Sequence, residues 1–403
     1  MFSLSSGQKF IDLRAFELVP RMKHQGYAGE SVARRREWVE QKTGCQLEHV
    51  GSYSIPSEEM RGNIENPIGA VQMPLGVAGP LRVNGMYAVG TFYVPLATTE
   101  GALVRSYERG MAALTRAGGV STHLHQDENR VAPVFCFDNV SDAYDFTQSL
   151  AGDFEAIREA AESTTHHGKL VRLECHPVGR EVIVNFNYTT ADAQGMNMIV
   201  KATERACKRI MAHSKARQFY VFSGFSSEKR ASGSLLTGGK GKRVTAGALL
   251  PKETLKSYLH TTPAQLSEMW RHTVLGHMQA NAIGYNGHYA NGLAAIFIAC
   301  GQDVANIANS AVGITNFEVT EEGDLYASVT LPSLTVATVG GGTALGTSRE
   351  CLEMLGCEGT GGAAKFAEIV SATILAGELS MGSAIASDEF VQAHETFGRN
   401  RPK

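Results

Sequence analysis

The 403-residue sequence lacks a surplus of charge: 37 Lys and Arg face 40 Asp and Glu, for a net of −3. That balance gives no field to draw the chain onto nucleic acid or an anionic membrane surface. Cysteine is scarce. The seven residues at 45, 136, 175, 207, 300, 351 and 357 are odd in number and never in CxxC spacing. A disulfide framework and a zinc site are thereby disfavoured, and a reducing, cytoplasmic compartment is expected. There is no basic N-terminal segment followed by an apolar run, and no stretch of the roughly 18 to 20 apolar residues that a membrane span needs. No GxGxxG follows a strand, and Gly241 and Arg243 stand after Lys240 and Lys242 where a P-loop has Ser or Thr, so both common phosphate signatures are missing. What remains is an ordinary folded protein, long enough for two or three domains, with small-molecule or protein partners.

Along the chain, residues 1–60 are charged and mainly helical in pattern, most clearly over 31–42, and read as a structural or oligomerising arm. From 65 the sequence becomes ENPIGAVQMPLGVAGPLRVNG, in which Gly and Pro punctuate short apolar runs and indicate turns. A strand over 86–95 and a helix from about Leu103 follow. Thr98 or Thr99 suits the cap of that helix, and Glu100 reads either as a carboxylate favoured by the helix dipole or as a functional acid. Residues 133–222 alternate regularly: strand 134–137, helix 141–162, strands 170–176 and 181–187 around a turn, helix 193–214, strand 219–223. This βαββαβ order is that of a ferredoxin-like unit, inserted between segments of different texture. Gly195, at the start of its second helix, leaves backbone N–H groups that suit an anion.

Residues 223–243 are rich in Ser and Gly and carry Lys229, Arg230, Lys240, Lys242 and Arg243. They suit either a mobile loop closing over an anionic ligand or a solvated basic linker. A helix over 263–281, a hairpin over 316–329 and a helix near Ser348 after the triple Gly of 340–342 come next. A long helix over 364–392, rich in small residues, leads to His394 in the tail. His123 and His125 share a strand face and His166 and His167 a polar loop, with no third metal ligand at usable spacing for either pair.

The stretch 285–303, YNGHYANGLAAIFIACGQD, is apolar on every side over 293–300, as a helix buried all round would be. Asn286, His288 and Asn291 precede that run, and Gln302 and Asp303 follow it. Asp303 is either solvated after the helix end at Gly301 or buried and paired, since an unpaired buried carboxylate costs several kcal/mol.

Seven stretches, in order, carry a resemblance: ENPIGAVQMPLGVAGPL (65–81), ATTEGALV (97–104), DAQGMNM (192–198), EKR (228–230), YNGHYAN with IACGQD (285–303), TVGGGT (338–343), and AGELS with His394. Together they resemble the soluble catalytic portion of class I 3-hydroxy-3-methylglutaryl-CoA (HMG-CoA) reductases. The resemblance implies an α+β fold: a small helical N-terminal region (1–60), a large helix-rich α/β substrate domain (61–132 and 223–403) and the ferredoxin-like insert (133–222) carrying NADP(H). It implies reduction of HMG-CoA through a mevaldyl-CoA hemithioacetal and mevaldehyde to mevalonate, with two NADPH consumed and CoA released. Lys229 matches the cation that stabilises the developing oxyanion. Glu100 matches the acid that protonates the aldehyde oxygen, a task requiring a raised pKa. Asp303 matches the aspartate linking the two, and His394 the donor to the departing thiolate. Asp192, Gly195, Met196, Asn197 and Arg399 match cofactor positions. Glu65, Arg130, Ser223, Arg230, His272, His288 and Asn291 match positions toward substrate and CoA. The implied site lies between subunits of a dimer or a dimer of dimers, and uses no metal. Asp303 is therefore expected to be buried and within reach of Lys229 or Glu100.

The sequence departs from the family at Pro67, Ala191, Gln194, Glu228 and Arg230, and His272 occupies the place of a substrate-contacting lysine. Tyr188, Thr189 and Thr190 lack the arginine that some members aim at the 2′-phosphate, which leaves NADH open beside NADPH. An NAD-dependent catabolic reductase, one retuned to another acyl-CoA, and a catalytically silent CoA-binding homologue are the alternatives.

Overall fold

A buried guanidinium marks the extent of the N-terminal unit. In the computed structural model, which describes residues 17–22, 25–389, 391 and 395, helix Gly29–Thr43 carries Arg35 at 1% exposure. Two of its nitrogens donate to the carbonyls of Gly26 and Pro67, and Arg36 donates to Ile68 O at 3.1 Å. A buried cation is tolerated where backbone carbonyls replace its hydration. These bonds fold the stretch after residue 60 onto the first helix, and the chain divides as Met1–Gln72 and Met73–Lys403.

The second unit is mixed α/β. Its described strands are β1 (Leu75–Gly85), β2 (Val89–Ala97), β3 (Val120–Val131), β4 (Val134–Cys136), β5 (Lys169–Val178), β6 (Glu181–Thr189), β7 (Gln218–Tyr220), β8 (Gly241–Leu250), β9 (Ile314–Val319) and β10 (Leu325–Leu334). The stretch read as short apolar runs punctuated by turns contains β1, which pairs antiparallel with β2 from Leu75↔Ala97 to Asn84↔Val89. Gly79 and Pro80 sit where the register shifts, so they mark a bulge and not the end of a strand. The strand order β2-β1-β3-β8-β10-β9 forms one layer and β5-β6-β4-β7 another. β3 belongs to both: its first part pairs with β8, and Asn129 to Val131 pair with β6.

Helices Val140–Ser149, Phe154–Glu162 and Met196–His213 accompany the second layer around a core that includes Phe135, Phe137, Val184, Phe186 and Ile199. The single helix expected over 141–162 is two, interrupted at Gly152, with the first capped by Asn139 Oδ1 accepting from Asp142 N at 2.9 Å.

Helix Ala363–Ala386 runs through the first layer's core, against helices Leu103–Arg116, Pro263–Gln279 and Tyr289–Ala299 and strands β3, β8 and β10. Small residues allow the approach: a Cβ at Gly110 would lie 1.9 Å from Ala376 O. By length and composition this helix is apolar enough to cross a membrane, against the expectation that no stretch is, yet 83% of its most apolar window is buried in protein. It ends at Ala386 and not 392; Asp388, with φ of 59°, turns the chain.

The helix also buries two glutamates. Glu368 accepts from Met86 N (3.1 Å), Tyr87 N (2.8 Å) and Ala88 N (2.7 Å), clamping the β1–β2 turn. Glu378 accepts from Gly287 N and His288 N, each at 2.7 Å, from His288 Nδ1 at 3.0 Å and from Thr315 Oγ1 at 2.7 Å. Burial pushes the Glu378 carboxyl up, but the His288 bond and charge and the two backbone N–H groups prevail and hold it below its ordinary value.

Candidate functional site

Two cavities collect part of the sequence-predicted residues of the second unit. The larger, about 520 Å³, is lined by residues 193–198, Glu228, Lys229, residues 301–303, 335–337 and 339–343. Lys229 Nζ lies 2.8 Å from Asp303 Oδ2 within one chain, so the expected pairing is present. The expected burial is not: the two side chains are 47% and 35% exposed. Asp303 also accepts from Ala305 N at 3.1 Å, as the cap of a short 3₁₀ turn following the apolar helix Tyr289–Ala299. The bond to Asp303 raises Lys229 above its ordinary value and partial burial opposes it, so the ammonium stays charged. Lys229 and Ser227 both adopt left-handed backbone, with φ of 55° and 56°. The loop is thus kinked on both sides of Glu228.

The floor of this cavity depends on missing side chains. Gly301 and Gly342 touch backbone to backbone, and a Cβ on Gly301 would lie 2.3 Å from Gly342 O. Gly195 caps helix Met196–His213 at φ of 71°, where a Cβ would meet Thr190 Cγ2 at 2.8 Å. The first bond of that helix is Ile199 N to Gly195 O, so the N–H groups of Met196 to Met198 precede the intrahelical ladder. Met196 and Asn197 line the cavity. Asp192 faces elsewhere: its carboxylate accepts from Gly361 N (2.8 Å) and Ala363 N (3.1 Å), tying the loop to the start of the long helix. These two bonds give Asp192 an anchoring part in the fold.

The smaller cavity, about 200 Å³, is lined by Glu100, Tyr107, Arg109, His288, Asn291 and Ser380 among others. Asn291 Nδ2 donates to Glu100 Oε1 at 3.3 Å, and Glu100 is exposed. The expected capping by Thr98 takes the form of Thr98 Oγ1 accepting from Glu100 N at 3.0 Å, while Ala102, with φ of 70°, precedes the helix. His288 is fixed by Glu378 and stacks on Tyr107 at 5.6 Å. Among the described residues the two cavities share no lining residue: Lys229 and Asp303 line one and Glu100 the other.

The other expected residues are dispersed. Arg130 is buried at 6% exposure; its Nε donates to Ser226 O at 3.4 Å and one terminal nitrogen has no protein acceptor among the described residues. Burial, and then Arg172, lower its pKa. Ser223 Oγ donates to Ala132 O at 2.7 Å, and Arg230 is exposed on the Lys229 loop. His272 lies on the solvent side of helix Pro263–Gln279, beside Arg271 at 3.0 Å, and lines neither cavity. Its helical register, not its place in sequence, decides that. Glu65 is exposed in the first unit. His394 and Arg399 lie outside the described residues.

Sequence reasoning missed Glu378, Glu368 and Lys240. Lys240 and Lys242, read as loop cations, are 0% and 2% exposed; Lys242 donates to Asp127 at 2.9 Å, and Lys240 pairs with Glu228. The signal for the glutamates was a carboxylate inside an otherwise apolar helix. For Lys240 it was a lysine between two glycines entering a strand.

A family model for hydroxymethylglutaryl-coenzyme A reductase matches residues 31–399. The chain is 46% identical over 373 residues to a 3-hydroxy-3-methylglutaryl-coenzyme A reductase of Methanocaldococcus jannaschii, covering 91% of this chain and 92% of that protein. It is 45% identical over 373 residues to one of Methanothermobacter thermautotrophicus, covering 92% and 94%. In fold it is similar to a class II 3-hydroxy-3-methylglutaryl-CoA reductase from Streptococcus pneumoniae bound to NADPH in open conformations. The TM-score is 0.69 at 18% identity, with 91% of this chain and 100% of that chain covered.

Proposed function

Because the chain belongs to the hydroxymethylglutaryl-coenzyme A reductase family, we propose that it reduces HMG-CoA to mevalonate and CoA by two hydride transfers from NADPH, at a site completed by a second copy of the chain. The observation that carries this reading is the Lys229–Asp303 pair opening on the same cavity as the 193–198 turn.

That cavity suits a nicotinamide nucleotide. The side-chain-free contact of Gly301 with Gly342, the left-handed Gly195 and the N–H groups at the start of helix Met196–His213 make a cradle for a flat, anionic ligand. Gly195, Met196 and Asn197 would hold it, while Asp192 anchors the turn. When bound, the reduced nicotinamide supplies hydride. Lys229, cationic and held by Asp303, stabilises negative charge on the substrate oxygen as it develops. Glu100, oriented by Asn291, is the acid for the aldehyde oxygen, and His394 protonates the departing thiolate.

Arg130, whose free guanidinium nitrogen is buried, is the strongest substrate-carboxylate contact, with Ser223 and Arg230 on the adjoining loop. His288 shapes the cavity bearing Glu100. Glu65, His272 and Arg399 are retained only through family correspondence. Separation of Glu100 from Lys229 within one chain supports assembly of the site by a dimer or a dimer of dimers. The helix buried within protein and the free thiols favour a cytoplasmic enzyme whose insert, residues 133–222, is a ferredoxin-like nucleotide domain.

A second reading has its own observation. Tyr188 at the end of β6 is buried and bonded to Thr203, and the two threonines after it offer no cation to a 2′-phosphate, which favours use of NADH. Loss of reduced-nicotinamide absorbance with HMG-CoA, measured separately with NADPH and NADH, tests both. Turnover with NADPH supports the main reading, turnover with NADH alone the second, and inactivity with both overturns the assignment.

A further inference from the structure

Glu228 and Lys229 are adjacent in sequence and opposite in surroundings. Lys229 is half exposed and reaches Asp303, whereas Glu228 turns back to Lys240, whose side chain is fully buried. The Lys240 ammonium also donates to Asn129 Oδ1 at 2.7 Å and to Met196 Sδ at 3.3 Å. Asn129 Nδ2 donates to Gln194 O at 2.8 Å, and Gln194 Nε2 donates to Glu228 Oε1 at 3.3 Å, closing a ring. Three segments meet on one nitrogen: the end of β3, the start of helix Met196–His213, and the loop of Lys229.

The backbone delivers this lysine inward. Gly239 and Gly241 flank it at φ of 83° and 86°, and a Cβ on Gly241 would lie 2.4 Å from Leu334 O, so the chain enters β8 pressed against β10. A buried ammonium is costly unless its partners replace its hydration. Lys240 has a carboxylate, an amide oxygen and a sulfur for that purpose. Burial lowers its pKa, the Glu228 charge opposes that, and Arg130 and Lys229 add to the lowering. This is an expensive arrangement for a residue whose only task is to fill space.

We propose, resting on the reductase reading, that Lys240 is a positioning residue: it holds Glu228 away from Lys229 and keeps the Lys229 loop in register with the nucleotide-binding turn. Without Lys240, Glu228 is an unpaired carboxylate beside Lys229 and competes with Asp303 for its ammonium. The turn at 194–198 and the loop at 226–230 lose their common anchor at the same time.

The test uses the full chain and the variants Lys240→Met, Glu228→Gln and the double variant. Amide hydrogen exchange in Lys240→Met should rise about tenfold in both segments and stay unchanged in β9 and β10. Its kcat should fall about tenfold while KM for HMG-CoA stays within about twofold. The double variant should recover to about the activity of Glu228→Gln alone, because the competing carboxylate is gone. Exchange that rises in one segment only, or throughout the chain, overturns the proposal, as does a double variant no better than Lys240→Met. Should Lys240→Met not fold, Glu228→Gln breaks the same pair from the other side; unchanged exchange in the two segments then overturns it. Turnover by the parent tests the reductase reading, whereas the exchange comparison requires no turnover.

Discussion

The carboxylates of helix Ala363–Ala386 and those of the two cavities are built in opposite ways. Glu368 and Glu378 are 0% and 1% exposed, and each is surrounded by backbone donors. Asp303 and Glu100 are exposed, and the bonds seen at them among the described residues include side chains, Lys229 for Asp303 and Asn291 for Glu100. Buried carboxylates must be fully satisfied because desolvation penalises any lone pair left unmet. Groups that are to meet a ligand keep bonding capacity in reserve. The difference separates carboxylates that hold the scaffold from those proposed above to act on a substrate.

The largest expected effect sharpens that separation. Lys229→Ala should lower turnover by about 100- to 1000-fold, the usual cost of losing an oxyanion donor, while the unfolding midpoint stays close to the parent's. Steady-state kinetics alongside a denaturant melt decide it, and a variant within tenfold of the parent would place the oxyanion elsewhere.

Next, Glu378→Gln should cost about 3 kcal/mol of stability, because an amide NH₂ then faces backbone donors in a dry site. The folded-state pKa of Glu378 lies below its ordinary value. Its contribution is therefore complete above the ordinary glutamate value, about 4.3, and fades as pH falls through the folded value. The stability gap between parent and variant should close on acidification. A gap that is constant with pH would break the contrast.

The smallest effect concerns Asp303→Asn, which should change stability by less than about 1 kcal/mol, since an exposed pair is screened by water. A stability loss as large as that for Glu378→Gln would make Asp303 a scaffold residue, and the comparison would collapse.

Much of this was legible beforehand, for reasons that differ by residue. The Lys229–Asp303 meeting followed from the family resemblance, and the hairpin over 316–329 is realised as β9 and β10. The succession of strands and helices over 133–222 was visible because its alternation is regular. β1 was hidden by Gly79 and Pro80, which punctuate a bulge as readily as a loop. Lys240 was hidden because composition cannot distinguish a cation in solvent from one enclosed by Glu228 and Asn129. The anchoring role of Asp192 depends on Gly361 and Ala363, 169 and 171 residues further along, and no local pattern reports such a partner. The exposure of Asp303 was misjudged because motif order conveys who meets whom, and not how much water is present.

Helix Ala363–Ala386 is fastened at its start by Asp192, at Glu368 to the β1–β2 turn, and at Glu378 to the residues leading into Tyr289–Ala299. Beyond them, Ser380 O accepts from Arg109 at 2.7 Å at the edge of the smaller cavity. The helix is therefore a ruler: from residue 368 to 378 it measures about 15 Å, at 1.5 Å per residue. One inserted residue would turn everything beyond it by about 100° and carry Glu378 off its donors. A conservative apolar substitution along this rod can be absorbed by repacking, but a change of length between its two glutamates cannot, and in this protein residue count itself is a structural coordinate.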